Sequence, residues 1–136
     1  MNTKTLYEIP TNLFKRGIPL KPLIKEKLIG VMLYAKDLQR SSTWYCEMLG
    51  FKLADHNFDD FVELTIDGQY VMHLFKDIDL TPITRPVFSF NTDNIEDAYQ
   101  SLVNSGAEIY SIETYGDHRS FSFKDCDGNI LMISQY

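Results

Sequence analysis

The sequence predicts an α+β fold made of two tandem βαβββ modules, whose mixed sheets face each other around a cleft. Three observations carry this expectation. Alternating apolar and polar runs flank Asp67-Gly68-Gln69 and again Asp127-Gly128-Asn129, so a strand-turn-strand unit recurs with its glycines 60 residues apart. A helical pattern precedes each unit, opened by Asp37 in one case and by Asn94, 57 residues later, in the other. The helices stop at Gly50 and Gly106, 56 residues apart. Three independent landmarks with nearly one spacing indicate a duplicated module.

Residues 1–26 hold Pro10, Pro19 and Pro22 among Leu6, Leu13, Phe14, Ile18, Leu20 and Leu23, too apolar for a free tail and too broken for a long helix. They predict an arm packed on the body. The arm has five Lys/Arg against two Asp/Glu, a net of +3, which leaves the rest with eight against seventeen, a net of −9. One domain then spans 27–136, as modules 27–79 and 84–136. In the first module Leu28–Ala35 is a nearly continuous apolar strand, and Leu38–Leu49 is a helix whose stripe is Leu38, Trp44, Tyr45, Met48 and Leu49. Strands follow near Phe51–Asp55, Phe61–Ile66 and Tyr70–Lys76. A linker, Asp77–Arg85, contains Pro82. The second module repeats the order: strand Pro86–Thr92, helix Ile95–Ser105 with Ala98, Tyr99, Leu102 and Val103 inward, and strands near Glu108–Glu113, Arg119–Lys124 and Ile130–Gln135. One helix covers only one face of a four-stranded sheet, which is why two such sheets are expected to pair around a cleft.

Composition bounds the function. At 136 residues and 44 % hydrophobic content the chain can bury a core without metal or disulfides. No apolar run approaches the ~18 residues that cross a bilayer, and the N-terminus shows no secretory pattern, so a cytoplasmic protein is expected. Cys46 and Cys126 lack metal or redox spacing and are read as free thiols. A net charge of −6 excludes a general nucleic-acid surface. Nucleophile-elbow, phosphate-loop and dinucleotide patterns are absent from the sequence.

Period-two alternation sorts the strand residues by face. Val62, Leu64 and Ile66 face the helix and leave Phe61, Glu63 and Thr65 toward the cleft. Phe121 and Phe123 do the same for His118, Ser120 and Ser122. Tyr34, Tyr70, Met72, Ser89, Asn91, Met132 and Ser134 also fall on the cleft side, a mixture suited to a small organic molecule. His73 falls on the helix side unless a bulge re-registers its strand. The loop Tyr115-Gly116-Asp117-His118-Arg119 offers an imidazole and a guanidinium for a polar or anionic group. Glu63, the one carboxylate expected inside, is a general base, a partner for a cationic ligand, or half of an internal pair with His118 or Arg119. The ligand-binding candidates are therefore Tyr34, Glu63, Tyr70, Met72, Asn91, Tyr115, His118, Arg119, Ser120, Ser122 and Met132, with Glu63 and His118 as candidate catalytic groups.

Lys36-Asp37-Leu38-Gln39-Arg40-Ser41, Trp44-Tyr45 and Leu49-Gly50-Phe51 in the first module, with Asp125-x-Asp127-Gly128-Asn129 in the second, resemble the vicinal oxygen chelate superfamily. That group includes glyoxalase I, bleomycin-resistance proteins, fosfomycin-resistance enzymes and extradiol dioxygenases. The resemblance covers about residues 27–136; Cys126 departs from it, standing where a proline is usual. It implies metal-ligand positions seven residues before the helix-opening residue and four after the turn glycine, which here are Gly30, Met72, Val87 and Met132. None offers an anionic oxygen or an imidazole, so neither metal nor cofactor is expected. His73, one residue past an expected position, is the candidate for a displaced site. The resemblance thus implies a metal-independent protein that binds a small organic ligand in the inter-module cleft, and a homodimer. An alternative is a lyase-, isomerase- or dioxygenase-type enzyme, using a displaced metal site of His73, Glu63 and His118 or Glu63 and His118 as acid and base. A third is a partner-binding role in which the arm matters and the cleft is vestigial.

Overall fold

The computed structural model describes residues 21–136. The elements are β1 (Val31–Ala35), α1 (Leu38–Leu49), β2 (Lys52–Asn57), β3 (Phe61–Ile66), β4 (Gln69–Lys76), β5 (Phe90–Asn91), α2 (Ile95–Asn104), β6 (Glu113–Tyr115), β7 (His118–Lys124) and β8 (Ile130–Gln135). They form two four-stranded sheets of equivalent order, β1-β4-β3-β2 and β5-β8-β7-β6. In each, the outer pair β1/β4 or β5/β8 is parallel and the rest antiparallel. These are the two βαβββ modules expected from the sequence.

The helices begin and end for the reasons their sequences suggest. The side chain of Asp37 accepts from the Arg40 amide at 3.0 Å, and that of Asn94 from the Asp97 amide at 3.1 Å. Gly50 closes α1 at φ 76°, a left-handed conformation that spares it the Cβ clash. The β3–β4 turn puts both Asp67 (φ 50°) and Gly68 (φ 75°) in that region, as a tight hairpin turn requires.

Several strands are shorter than the alternation suggests. Leu28 and Ile29 are exposed and precede β1, which starts only at Val31, and β5 is reduced to Phe90–Asn91. The strand expected over Glu108–Glu113 is instead a bridge of Ile109 to Phe123, flanked by backbone bonds at Glu108 and Tyr110, before β6 begins at Glu113. Of the expected arm, residues 1–20 lie outside the described residues. Residues 21–29 form no helix or strand, and Leu23 and Ile24 are exposed.

One apolar core joins the modules. It holds Leu33, Ala35, Leu38, Tyr45, Val62, Leu64, Met72 and Leu74 from the first, and Ile95, Leu102, Phe121, Phe123, Leu131 and Ile133 from the second. The contacts between modules run along the helix-covered sides: Trp44 stacks on Phe123 with centroids 6.4 Å apart, and Phe51 meets Phe90 edge-on at 5.7 Å. The β7–β8 turn is tied to α1 by a buried carboxylate. Asp125 accepts from Tyr45 Oη (2.6 Å), the Asn129 side chain (2.9 Å) and the amides of Asp127 and Asn129 (2.9 Å each). Ser41 donates to Asp127 at 2.7 Å and Arg40 to the Cys126 carbonyl. Burial, then the Asp125 charge, pushes the Tyr45 phenol well above its ordinary pKa, so it stays a neutral donor.

Candidate functional site

The open face of the first sheet is where polar chemistry converges. β3 alternates as expected, with Val62 and Leu64 buried and Phe61, Glu63 and Thr65 on the open side. β4 departs from alternation, because Leu64 pairs with Met72 while the next residue, Thr65, pairs with Tyr70. Val71 is the extra residue, a bulge that reverses the phase of the strand beyond it. Met72 therefore enters the core at 0 % exposure, which corrects its expected place in the cleft. His73 turns to the open side, opposite Glu63, which corrects the helix-side expectation.

The result is a connected row of polar contacts, an ion-pair contact followed by a hydrogen bond. Glu63 Oε1 lies 3.2 Å from His73 Nε2, and Tyr70 Oη lies 2.5 Å from His73 Nδ1. Their surroundings are aromatic: the His73 ring stacks on Phe75 at 5.3 Å and 5°, Phe61 lies 6.1 Å away, and Tyr34 reaches Phe75 at 6.0 Å. The histidine and glutamate side chains are 21 % and 34 % exposed, so a ligand can reach them. Burial, then the nearby Glu63 charge, raises the Tyr70 pKa and keeps its hydroxyl protonated at neutral pH. Gly30 makes room for this ring. A Cβ there would sit 2.5 Å from Tyr70 Cε2 and 2.6 Å from the Val71 carbonyl oxygen.

The open face of the second sheet is a separate surface. Ser120, Ser122, Met132 and Tyr115 line a cavity of about 340 Å³ with Tyr110, Ser111, Glu113 and Ile130, all from one module. Ser134 meets Ser89 at 2.5 Å and Ser120 at 2.7 Å, so these hydroxyls largely satisfy one another. Asn91, paired with Ser134, is exposed at the edge strand. His118 stacks on Tyr136 at 4.5 Å and bonds Asp117 at 3.1 Å. Arg119 pairs with Glu96 of α2 and, with His118, Gly116, Asp117 and Tyr136, lines a separate cavity of about 310 Å³ rather than this one. One expectation fails here. Glu63 meets neither Arg119 nor His118: its partner is His73, and the acid–base pair expected of Glu63 and His118 is not brought together.

The expected metal positions can be tested on this geometry. The space beside Gly30 is taken by the Tyr70 ring, Met72 is in the core, Val87 is exposed, and Met132 lines the second-sheet cavity. Glu63 and His73 are two donors, and both nitrogens of His73 are engaged. No group of three His, Cys, Asp or Glu converges among the described residues. This donor set does not fit a divalent ion, which needs three or more such ligands to offset its dehydration.

Among the described residues no helix is long and apolar enough to cross a membrane. No curated protein matches the chain. An integron cassette protein from the mobile metagenome of the Halifax Harbour sewage outfall shares the fold at a TM-score of 0.74 and 22 % identity, over 82 % of this chain and 100 % of that one. A lactoylglutathione lyase from Agrobacterium tumefaciens has a TM-score of 0.68 at 15 % identity, over 82 % and 94 % of the two chains. A fosfomycin resistance protein from Mesorhizobium loti has 0.65 at 14 %, over 83 % and 94 %. The sequence profile of one family matches residues 27–133, almost the whole of the paired modules, and the chain belongs to that family, the Glyoxalase/Bleomycin resistance protein/Dioxygenase superfamily.

Proposed function

We propose that the chain is a metal-independent binding protein of this superfamily that holds a small, flat organic molecule on the open face of its first sheet. One observation carries the reading: Tyr34, Phe61 and Phe75 surround a connected group of polar atoms, Glu63, His73 and Tyr70, on a face that the core leaves uncovered. Apolar walls with a few converging polar groups suit an organic ligand. Met32 and Tyr34 are half exposed here, so the face is shallow, and a second copy of the chain would deepen it. A homodimer whose partner offers its second-sheet cavity, with Tyr115, Ser120, Ser122 and Met132, supplies that second wall. Two free thiols accord with a reducing compartment, and the cytoplasm is the proposed location.

The test is a ligand-observed NMR screen of aromatic acids, phenols and amines in buffer containing EDTA. Binders are expected without added metal. For each binder, His73→Ala should weaken affinity by about 1–3 kcal/mol, while Arg119→Ala leaves it unchanged. Binders that respond to Arg119→Ala and not to His73→Ala would place the site elsewhere.

A further inference from the structure

Ligand binding alone does not require the order in which Glu63, His73 and Tyr70 are connected. A carboxylate only accepts, and the Glu63 charge 3.2 Å from Nε2 favours the tautomer that carries its proton on Nε2 and leaves Nδ1 as an acceptor. The Tyr70 hydroxyl, 2.5 Å from Nδ1, then donates to it. Carboxylate, imidazole and hydroxyl in that sequence form the arrangement that activates a hydroxyl in acyl-transfer enzymes, here with a phenol in the last place. We propose that Glu63, His73 and Tyr70 form a proton relay that makes the Tyr70 hydroxyl the reactive group of this face.

A plain cross-strand ion pair between Glu63 and His73 would need neither of two further features. The imidazole is clamped flat against Phe75, which fixes the direction of Nδ1. The phenol ring occupies space that exists only because residue 30 is glycine. The raised pKa of the phenol means that little free phenolate forms at neutral pH, so its proton leaves through the histidine. In the acid–base step, Tyr70 passes its proton to His73 Nδ1 as its oxygen takes a proton from the bound molecule. That molecule becomes an anion, and the imidazolium stays paired with the Glu63 carboxylate, so charge balances. The matching substrate class is a small planar molecule with a weakly acidic O–H, N–H or carbonyl-adjacent C–H.

The inference rests on this face being the ligand site, and its test therefore uses a probe that needs no natural ligand. The protein is treated at neutral pH with a small excess of an aryl sulfonyl fluoride. The Tyr70 oxygen forms the S–O bond, fluoride leaves, and the phenol proton goes to His73. Modified peptides are timed by mass spectrometry against the exposed Tyr110 and Tyr136. Tyr70 should be labelled roughly 10-fold or more faster than either, and His73→Gln should remove that advantage while leaving the Tyr110 and Tyr136 rates unchanged, which also shows that the variant is folded. Glu63→Gln should slow Tyr70 as well. Labelling of Tyr70 no faster than that of Tyr136, or at the same rate in His73→Gln, overturns the relay; fast labelling with no ligand found in the screen would overturn only the binding reading.

Discussion

Gly30 and Tyr70 share one small volume, and much of the site follows from that sharing. A methyl at residue 30 would meet both the Tyr70 ring and the Val71 carbonyl, and the carbonyl cannot yield without moving the bulge. Gly30→Ala should cost about 1–3 kcal/mol in urea unfolding and displace Tyr70 from His73, seen as altered His73 ring resonances. Tyr45 matters differently, because its hydroxyl satisfies the buried Asp125 that ties the modules together. Tyr45→Phe should cost about 1–3 kcal/mol at pH 7. The phenol's folded pKa is raised, so its contribution is complete below the unfolded value of about 10 and is lost as pH climbs from there toward the folded value. Wild type should therefore lose stability above about pH 10 more steeply than Tyr45→Phe does. Neither role was legible in sequence. Gly30 stood in an apolar run and Tyr45 in a helical stripe, and their partners are 40 and 80 residues away.

β4 is the element where reading by alternation succeeds and then breaks. Tyr70 was placed correctly, since it follows the turn directly, but the extra residue at Val71 exchanges the faces of everything after it. A period of two has no way to announce a bulge, because Val is an ordinary strand residue on either side of one. The same alternation held in β3 and β7, which have no such insertion before their central residues: Glu63 and Ser122 lie on the open faces as expected. Arg119 lies in β7 as the alternation expects, one residue out of phase with His118, but its partner Glu96 of α2 is 23 residues away and nothing local names it. The phase of β4 has a simple consequence for stability. Met72→Ala, in the core, should cost about 2–5 kcal/mol, while His73→Val, on the open face, should cost under about 1 kcal/mol. Urea unfolding of the two variants checks this; equal costs would mean that His73 also packs inside.

At the scale of the molecule the duplicated order, the caps and the turn glycines were readable because each depends on local chemistry. The way the modules meet was not. Trp44 on Phe123 and Tyr45 on Asp125 join residues about 80 apart, and nothing local in either segment names its partner. Trp44→Ala should lower stability by about 3 kcal/mol if this contact holds the modules together, measured by loss of the thermal midpoint. The proposed pairing of two chains should appear as a dimer in light scattering at micromolar concentration, and a monomer there would leave the open face of the first sheet uncovered.

Native mass spectrometry of the purified protein, prepared without chelator, tests metal independence and assembly together. The expected species is a dimer whose mass equals two chains with no bound transition metal, and which takes up hits from the aromatic screen one per open face. About one metal ion per chain, lost in His73→Ala, would contradict it and return His73 and Glu63 to the role of ligands.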